Sequence, residues 1–441
     1  MGAYTTIDDP SAYFQTAIYE GTTSTRKTVT NDGNSDLQAG LFWFKNRDST
    51  APHVIADTNR GANNADGGYT IVSNTNSTAT EIAEAKGIMT QTSNGFTVEE
   101  MTSAAGNVNT DSMVCWQWKG SGQGTGVGTD VAESGNNPGF KRQTNAAAGF
   151  SIMLYVGTGG VGTMAHGLNS APSVIIVKSG STTANWMVKH PSTTNNYDFL
   201  YLNTTGAPIA NDGAWTQTDP TSTVFSIGAA DAVNQDTKSF IAYVFAEVQG
   251  YSKFASYTGN GNANGRMVAT GFQPAWIMIK QATNATGDGW HILDSKRDPK
   301  NVASQKQFAD LATNDNAGTA IGIDILSNGF KVRATDGGLN ADTKKYIYIA
   351  FAEHPFTTST VESGSITELY ARPKSLTIGD VNYPSNIFNV WTSSQLEAIG
   401  IYEVVVDNTN FKNPEYYTNT NQTFAFADGT VTASYGTATA R

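Results

Sequence analysis

An all-β fold, built as three tandem β-sandwich or jelly-roll-like modules with a small C-terminal element, is predicted by three observations. One set of motifs recurs three times in the same order, the apolar runs are short and bounded by turn residues, and the composition suits strands joined by tight turns. The opening motif is Phe14 to Gly21, which returns as Phe150 to Gly157 and as Phe254 to Gly259. Each is followed by an apolar run ending in lysine: Leu41-Phe42-Trp43-Phe44-Lys45, Ser173 to Lys178, and Trp276-Ile277-Met278-Ile279-Lys280. Each copy closes on a second apolar strand, Met113 to Lys119, Phe240 to Glu247 and Tyr346 to Glu353. The spacing from opener to lysine is 31, 28 and 26 residues, and from lysine to the closing aromatic (Trp118, Phe245, Phe351) 73, 67 and 71. Matching order and spacing define one module of roughly 100 residues.

The modules fall at residues 1–119, 149–250 and 251–356. Between the first two, residues 120–148 are rich in Gly, Ser, Thr and Asn and read as a linker that leaves module one free to be placed elsewhere. The junction between modules two and three is short, which predicts one rigid unit. Residues 357–441 do not repeat the module and read as an attachment or oligomerisation element. Helix signals are few, the best being Ser304 to Thr313 and Ser393-Ser394-Gln395-Leu396-Glu397. Pro172 and Pro274 precede the lysine-ending strands of modules two and three, where a missing N–H does least harm to the ladder.

Composition narrows the function. Charged residues are 15% of the 441, against roughly 25% in ordinary soluble domains, and 44 glycines with abundant Thr, Asn and Ser take their place. A net charge of −11 argues against nucleic acid and anionic membranes, since both need a cationic face. No apolar run approaches the ~20 residues of a membrane span, and Met1 to Pro10 lacks the pattern of a secretion signal. The expectation is a protein made in a cytoplasm, without membrane insertion. Cys115 is the sole cysteine, lies in an apolar strand and reads as a buried small hydrophobe.

Candidate ligand-binding residues come from a recurring cluster. Module three carries Trp290-His291-Ile292-Leu293-Asp294 followed by Arg297, and module one His53-Val54-Ile55-Ala56-Asp57 followed by Arg60. Module two keeps Trp186-Met187-Val188-Lys189-His190 without the Asp-x-x-Arg pair. Two readings stand open. In one, Asp57/Arg60 and Asp294/Arg297 grip a ligand beside the aromatic platforms of Trp186 and Trp290, as in sugar sites. In the other, the Asp caps backbone N–H groups of a turn and the Arg pairs with it. Trp215, Tyr197 and Tyr201 also lie in polar stretches and read either as sugar-stacking rings or as covers for sandwich ends. The five histidines fall at unrelated module positions, with no metal-ligand spacing, and neither a nucleophile elbow nor a phosphate loop occurs. Asn31 to Asp36 matches a calcium loop in composition alone and reads as a solvated turn. A non-enzymatic protein without cofactor or metal is expected.

Several stretches resemble repeat-containing structural proteins of tailed phages, chiefly those of marine cyanobacterial and other aquatic hosts. They are Ala3 to Pro10 with Phe14 to Tyr19, Trp43-Phe44-Lys45-Asn46-Arg47, Tyr251 to Gly261, Ala275 to Lys280 and Ala350 to Phe356. Tyr383-Pro384 to Ile401-Tyr402 is similar to a segment of tail-fibre-associated proteins. The resemblance implies a virion component with lectin-like modules and defines no catalytic residues. The expected function is a tail fibre or spike that contacts host-surface glycan and other virion proteins as a homo-oligomer, a trimer by preference. Capsid decoration or head fibre without a receptor role, and a surface-polysaccharide depolymerase, are the alternatives.

Overall fold

The computed structural model describes residues 5–24, 26–60, 69–72, 82–83, 89–101, 106–121, 129–283, 288–317, 322–355, 373–378, 381–384, 421–426 and 429–435. They form two units, residues 1–356 and 357–441. The first contains the three modules, and each is a two-layer antiparallel β-sandwich.

All three main sheets share one strand order, because each apolar run of the sequence takes the same place. In module one the closing strand Ser112–Trp118 lies between the opener Phe14–Glu20 and the lysine strand Leu41–Asn46, and the sheet continues through Val54–Asp57. Module two repeats this with Ser239–Phe245 between Phe150–Val156 and Val174–Ser179, followed by Met187–Lys189. Module three repeats it with Lys345–Pro355 between Ser252–Thr258 and Phe272–Gln281, followed by His291–Asp294. The registers coincide: Leu41 faces Trp118, Val174 faces Phe245 and Trp276 faces Phe351. A second, smaller sheet covers one face of each: Arg26–Thr30 with Gly95–Glu99 and Met89–Thr92, Gly162–Ala165 with Val224–Ile227, and Met267–Ala269 with Gly329–Val332 and Ile323–Leu326.

A strand buried on both faces must satisfy two cores, which explains the continuous apolar runs. Alternate side chains of module one, such as Phe42, Phe44, Ala17 and Cys115, meet the small sheet in a core of their own. Ile175, Val177, Ala242 and Val244 do the same in module two. The other face of every main sheet turns toward the other two modules. A small apolar cavity of about 30 Å³ marks where they meet, and each module gives it four side chains. These are Leu41, Trp43, Ile55 and Trp118; Ile176, Leu202, Tyr243 and Phe245; and Trp276, Met278, Ile349 and Phe351. The closing aromatics touch across the modules, with ring centroids 5.6 Å apart for Trp118 and Phe351 and 5.7 Å for Phe245 and Phe351. Module one is therefore part of the same body as modules two and three and not free, because its apolar face is buried against theirs despite the polar segment that joins them. Residues 120–148 are also more than a linker: Phe140–Asn145 and Thr129–Val131 are strands that extend the module-two sheet beyond its opener.

Every opener ends at the same glycine for the same reason. A Cβ on Gly21, Gly157 or Gly259 would sit 1.6, 2.2 and 2.2 Å from the carbonyl oxygen of Val108, Gln235 and Ala341, so only glycine lets the turn before the closing strand approach. That turn is itself repeated, as Asn107 to Thr110, Asn234 to Thr237 and Asn340 to Thr343, with the threonine at φ 63°, 63° and 62°. The buried asparagine accepts from the N–H of the residue after the glycine in each copy, Thr22 (2.8 Å), Thr158 (2.9 Å) and Asn260 (3.0 Å). A β-branched residue in the left-handed region is strained, and this network holds it there. The stretch Ser304 to Thr313, read as a short helix, contains instead the strand Gln305–Phe308, paired to His291–Asp294. The unit 357–441 contributes a four-stranded antiparallel sheet of Pro373–Ile378, Val381–Pro384, Asn421–Phe426 and Gly429–Tyr435, while Ser393 to Glu397 lies outside the described residues.

Asn340 also donates through Nδ2 to Asn260 Oδ1, Asn262 O and Ala334 O at 2.8–2.9 Å. Asn340→Ala strands these groups and is expected to cost about 1–3 kcal/mol. Denaturant unfolding is the check, with Asn262→Ala, whose side chain serves only a local turn, expected within about 0.5 kcal/mol of wild type.

Candidate functional site

The residues singled out as ligand-binding are buried seams between modules. Asp57 and Arg60 lie 2.5 Å apart with side chains 0% and 1% exposed, and Asp294 and Arg297 lie 2.5 Å apart with both side chains 0% exposed. Asp57 Oδ1 accepts the N–H groups of Asn59 and Arg60 at 3.0 Å, and Asp294 Oδ1 accepts that of Arg297 at 2.8 Å. Each carboxylate then takes a donor from the next module's closing strand. Tyr243 of module two donates its hydroxyl to Asp57 Oδ2 (2.9 Å), and Trp116 of module one donates its indole N–H to Asp294 Oδ2 (3.0 Å). Asp315 extends the second seam, bonded to Arg297 at 2.8 Å, Arg47 at 2.6 Å and Gln307 at 2.6 Å. Burial alone would raise the Asp315 carboxyl, but Arg297 and Arg47 hold it below the usual carboxylate range.

Module two lacks the Asp-x-x-Arg pair because its seam is different. Register places His190, one residue beyond the Ile175–Lys189 pair, where the other modules carry Asp57 and Asp294. Its Nδ1 accepts the Ser192 N–H (3.1 Å), and its Nε2 donates to the Tyr348 carbonyl of module three (3.1 Å). The residue of module three corresponding to Trp116 and Tyr243 is Ile349, which has no donor to offer an aspartate. His53, Trp186 and Trp290 likewise share one position. Trp186 is stacked 6.4 Å from Tyr243, and the Trp290 indole N–H donates to Tyr201 O of module two at 2.8 Å. Trp186, Trp215 and Trp290 are buried, so none offers a stacking platform to a sugar, while Tyr197 and Tyr201 are half-buried.

An open polar cleft of about 260 Å³ lies instead where module three meets the opener of module one. Thr58 and Asn59 of module one reach the strand Phe140–Asn145, through Gln143 Oε1 (2.7 Å) and Lys141 O (3.1 Å). The matching Ser295 and Lys296 of module three find no such strand among the described residues of module one. Ser295 turns to Glu353, and Lys296 pairs with Asp32 at 2.6 Å. Ser11, Gln15, Thr16, Asn34 and His354 add to the polar lining, over a floor of Phe14, Ala275 and Ala352. Thr16 Oγ1 is buried without a hydrogen-bond partner. Hydroxyl, amide, carboxylate and ammonium groups border the cleft, several already paired with one another: Gln15 holds Ser11 O, Ser35 O and the Gly33 N–H, and Lys296 holds Asp32. No cluster of three or more metal-ligating side chains occurs among the described residues. These residues come from five separated segments, so sequence pattern does not group them, and Asp32 and Asn34 stand out there only as part of the Asn31 to Asp36 turn. The one shared signal is the glutamate two residues past the closing aromatic, Glu353 and its counterpart Glu247.

Two predictions follow from the seams. Arg297→Met leaves Asp294 and Asp315 buried without their shared cation and should cost about 3–5 kcal/mol in denaturant unfolding. A ligand-gripping arginine would leave stability unchanged. Burial pushes His53 well below its ordinary value, with Lys45 and Arg297 adding to this, and pushes His190 to about 4 and His291 to about 3. The unfolded chain takes up these protons near pH 6.5 and the folded chain only at lower pH, so stability falls as pH drops from 6.5 toward 3. Thermal melts should show a lower midpoint at pH 4.5 than at pH 7.5, and His190→Gln should shrink the difference.

No curated protein and no solved structure matches the chain. A family model described as a domain of unknown function (DUF7483) matches residues 9–355, nearly all of the three-module body, and the chain belongs to that family.

Proposed function

We propose that the protein is a structural component of a tailed-phage virion, a tail fibre or spike, whose three-module body meets host-surface glycan at the cleft between modules one and three. The cleft carries the reading: among the sites described above it is the one where polar and charged groups border open space, with Lys296 and Asp32 bridged across it but both still open to solvent and Thr16 Oγ1 unpartnered. The motif resemblance supports the virion assignment. The shared core supports a rigid part, since no module can turn without exposing apolar surface. Threefold packing is met within one chain, and association of whole chains into a trimer is part of the proposal, read directly by sedimentation of the full-length protein.

The binding test uses purified host envelope and two substitutions at the cleft rim, Lys296→Ala and His354→Ala. Each should lower binding at least about ten-fold with the melting temperature within a few degrees of wild type. Equal binding by wild type and both variants would remove the cleft from the reading. Immunogold labelling of virions with antibody against residues 150–356 tests the assignment itself. Gold on the tail supports it, gold spread over the capsid makes the protein a decoration, and absence from virions with release of reducing ends from host polysaccharide makes it a depolymerase.

A further inference from the structure

The strand Phe140–Asn145 occupies in module two a place that no strand fills in module three among the described residues. It pairs with the outer edge of the opener, Phe140 facing Tyr155 and Asn145 facing Phe150. It also closes the open side of the sandwich, because Arg142 Nη1 donates to Ala165 O and Thr144 Oγ1 donates to His166 O, at the edge of the small sheet. Phe140 is buried in the core between the two sheets.

In module three the corresponding edge is Ser252–Thr258. Ala352 N donates to Tyr251 O (2.8 Å) and Gly259 N to Lys344 O (2.8 Å), so the odd-numbered residues face the closing strand and Ser252, Phe254, Ser256 and Thr258 turn their peptide groups outward. Val248 O takes the Ser252 N–H and Glu247 takes the Phe254 N–H, while those of Ser256 and Thr258 are met by no strand among the described residues. Beside them a groove of about 620 Å³ runs between the edges of the two sheets, from Lys253 and Tyr257 to Arg266 and Met267. Met267 is 52% exposed, and Tyr257 is 8% exposed where its module-two counterpart Tyr155, under Phe140, is 1%. An unpaired edge beside exposed apolar surface is a ready template for another strand.

We propose that this edge takes up an extended, acidic segment of a partner protein by strand addition, in the place and direction that Phe140–Asn145 holds in module two. Backbone hydrogen bonds to Ser256 and Thr258 set the register, and an aromatic or large apolar side chain fills the space against Tyr257 and Met267. The charge follows from the lining. The groove holds two cations, Lys253 and Arg266, and no carboxylate, in a chain of net charge −11. Lys253 is bridged to Glu247 at 2.5 Å and shared with it, whereas Arg266 is exposed. A carboxylate on the incoming strand opposite Lys253 completes the complementarity.

The test uses the full-length protein and two synthetic peptides read by fluorescence anisotropy. One copies residues 138–145, and the other copies them with Arg142 and Thr144 both changed to glutamate. The acidic peptide should bind at least ten-fold more tightly than the unaltered copy. Ser256→Pro removes an outward N–H without touching the ladder to the closing strand, and should abolish binding with the melting temperature retained. Arg266→Glu should weaken binding several-fold. No binding of the acidic peptide at millimolar concentration, or equal binding by the folded Ser256→Pro protein, overturns the proposal. Sedimentation of the protein alone supplies the other arm: self-association that Ser256→Pro removes would make a second copy the occupant and overturn the acidic partner. None of these outcomes bears on the glycan cleft, which lies on module one's edge.

Discussion

The structure depends on one constraint: each main sheet is apolar on both faces and owns a cover for only one. The small sheet of a module shields Phe42 and Phe44, or Ile175 and Val177, and leaves the opposite face to the neighbours. Four side chains per module line the common axis. At about 1.5–3 kcal/mol for each large side chain removed from water, one module held apart would forfeit about 6–12 kcal/mol, comparable to the whole stability of an ordinary domain. Three modules facing inward satisfy all three sheets at once, and each seam must then be closed at its rim.

The rims carry specificity more than stability. A buried ion pair gains little over a well-packed apolar pair, but it tolerates only one arrangement of donors around it. Asp57 requires the Tyr243 hydroxyl and Asp294 the Trp116 indole N–H, so each seam accepts one neighbour. The third seam shows the same logic with different groups. Ile349 offers no donor, so the neutral imidazole of His190 supplies one to a backbone carbonyl instead. The missing Asp-x-x-Arg pair of module two is thus a consequence of what module three presents to it.

Much of the architecture was legible in the chain, and the failures share a cause. The repeated apolar runs, their order and their lysine ends fixed strand type and sheet order because both faces of those strands are buried, which leaves a dense signal. Asp57, Arg60, Asp294 and Arg297 were visible as a pattern, and one of the two open readings, the carboxylate capping a turn and pairing with arginine, describes their geometry. Their burial was not visible, because the groups above them, Tyr243 and Trp116, stand 186 and 178 residues away in the chain. The Asn-x-x-Thr turns went unread because their force lies in a backbone conformation, not in hydrophobic pattern. The strand Phe140–Asn145 was hidden in a polar linker because half of its side chains face solvent or the seam.

That strand is also what makes the three modules unequal. At the seam between modules one and two it fills the outer edge of the opener and receives Thr58 and Asn59. Modules one and three have no equivalent among the described residues, and each departs from module two at that same edge. In module one the vacancy lies under the turn of module three, where Lys296 and Ser295 are left to find Asp32 and Glu353, and the result is a polar cleft. In module three the vacancy lies on the open side of the sandwich, and the result is a bare strand with a cationic groove beside it. A single strand present in one repeat, and without a counterpart among the described residues of the other two, accounts for both the cleft and the groove: the open surfaces arise where the modules differ, and the rigidity of the body from what they share.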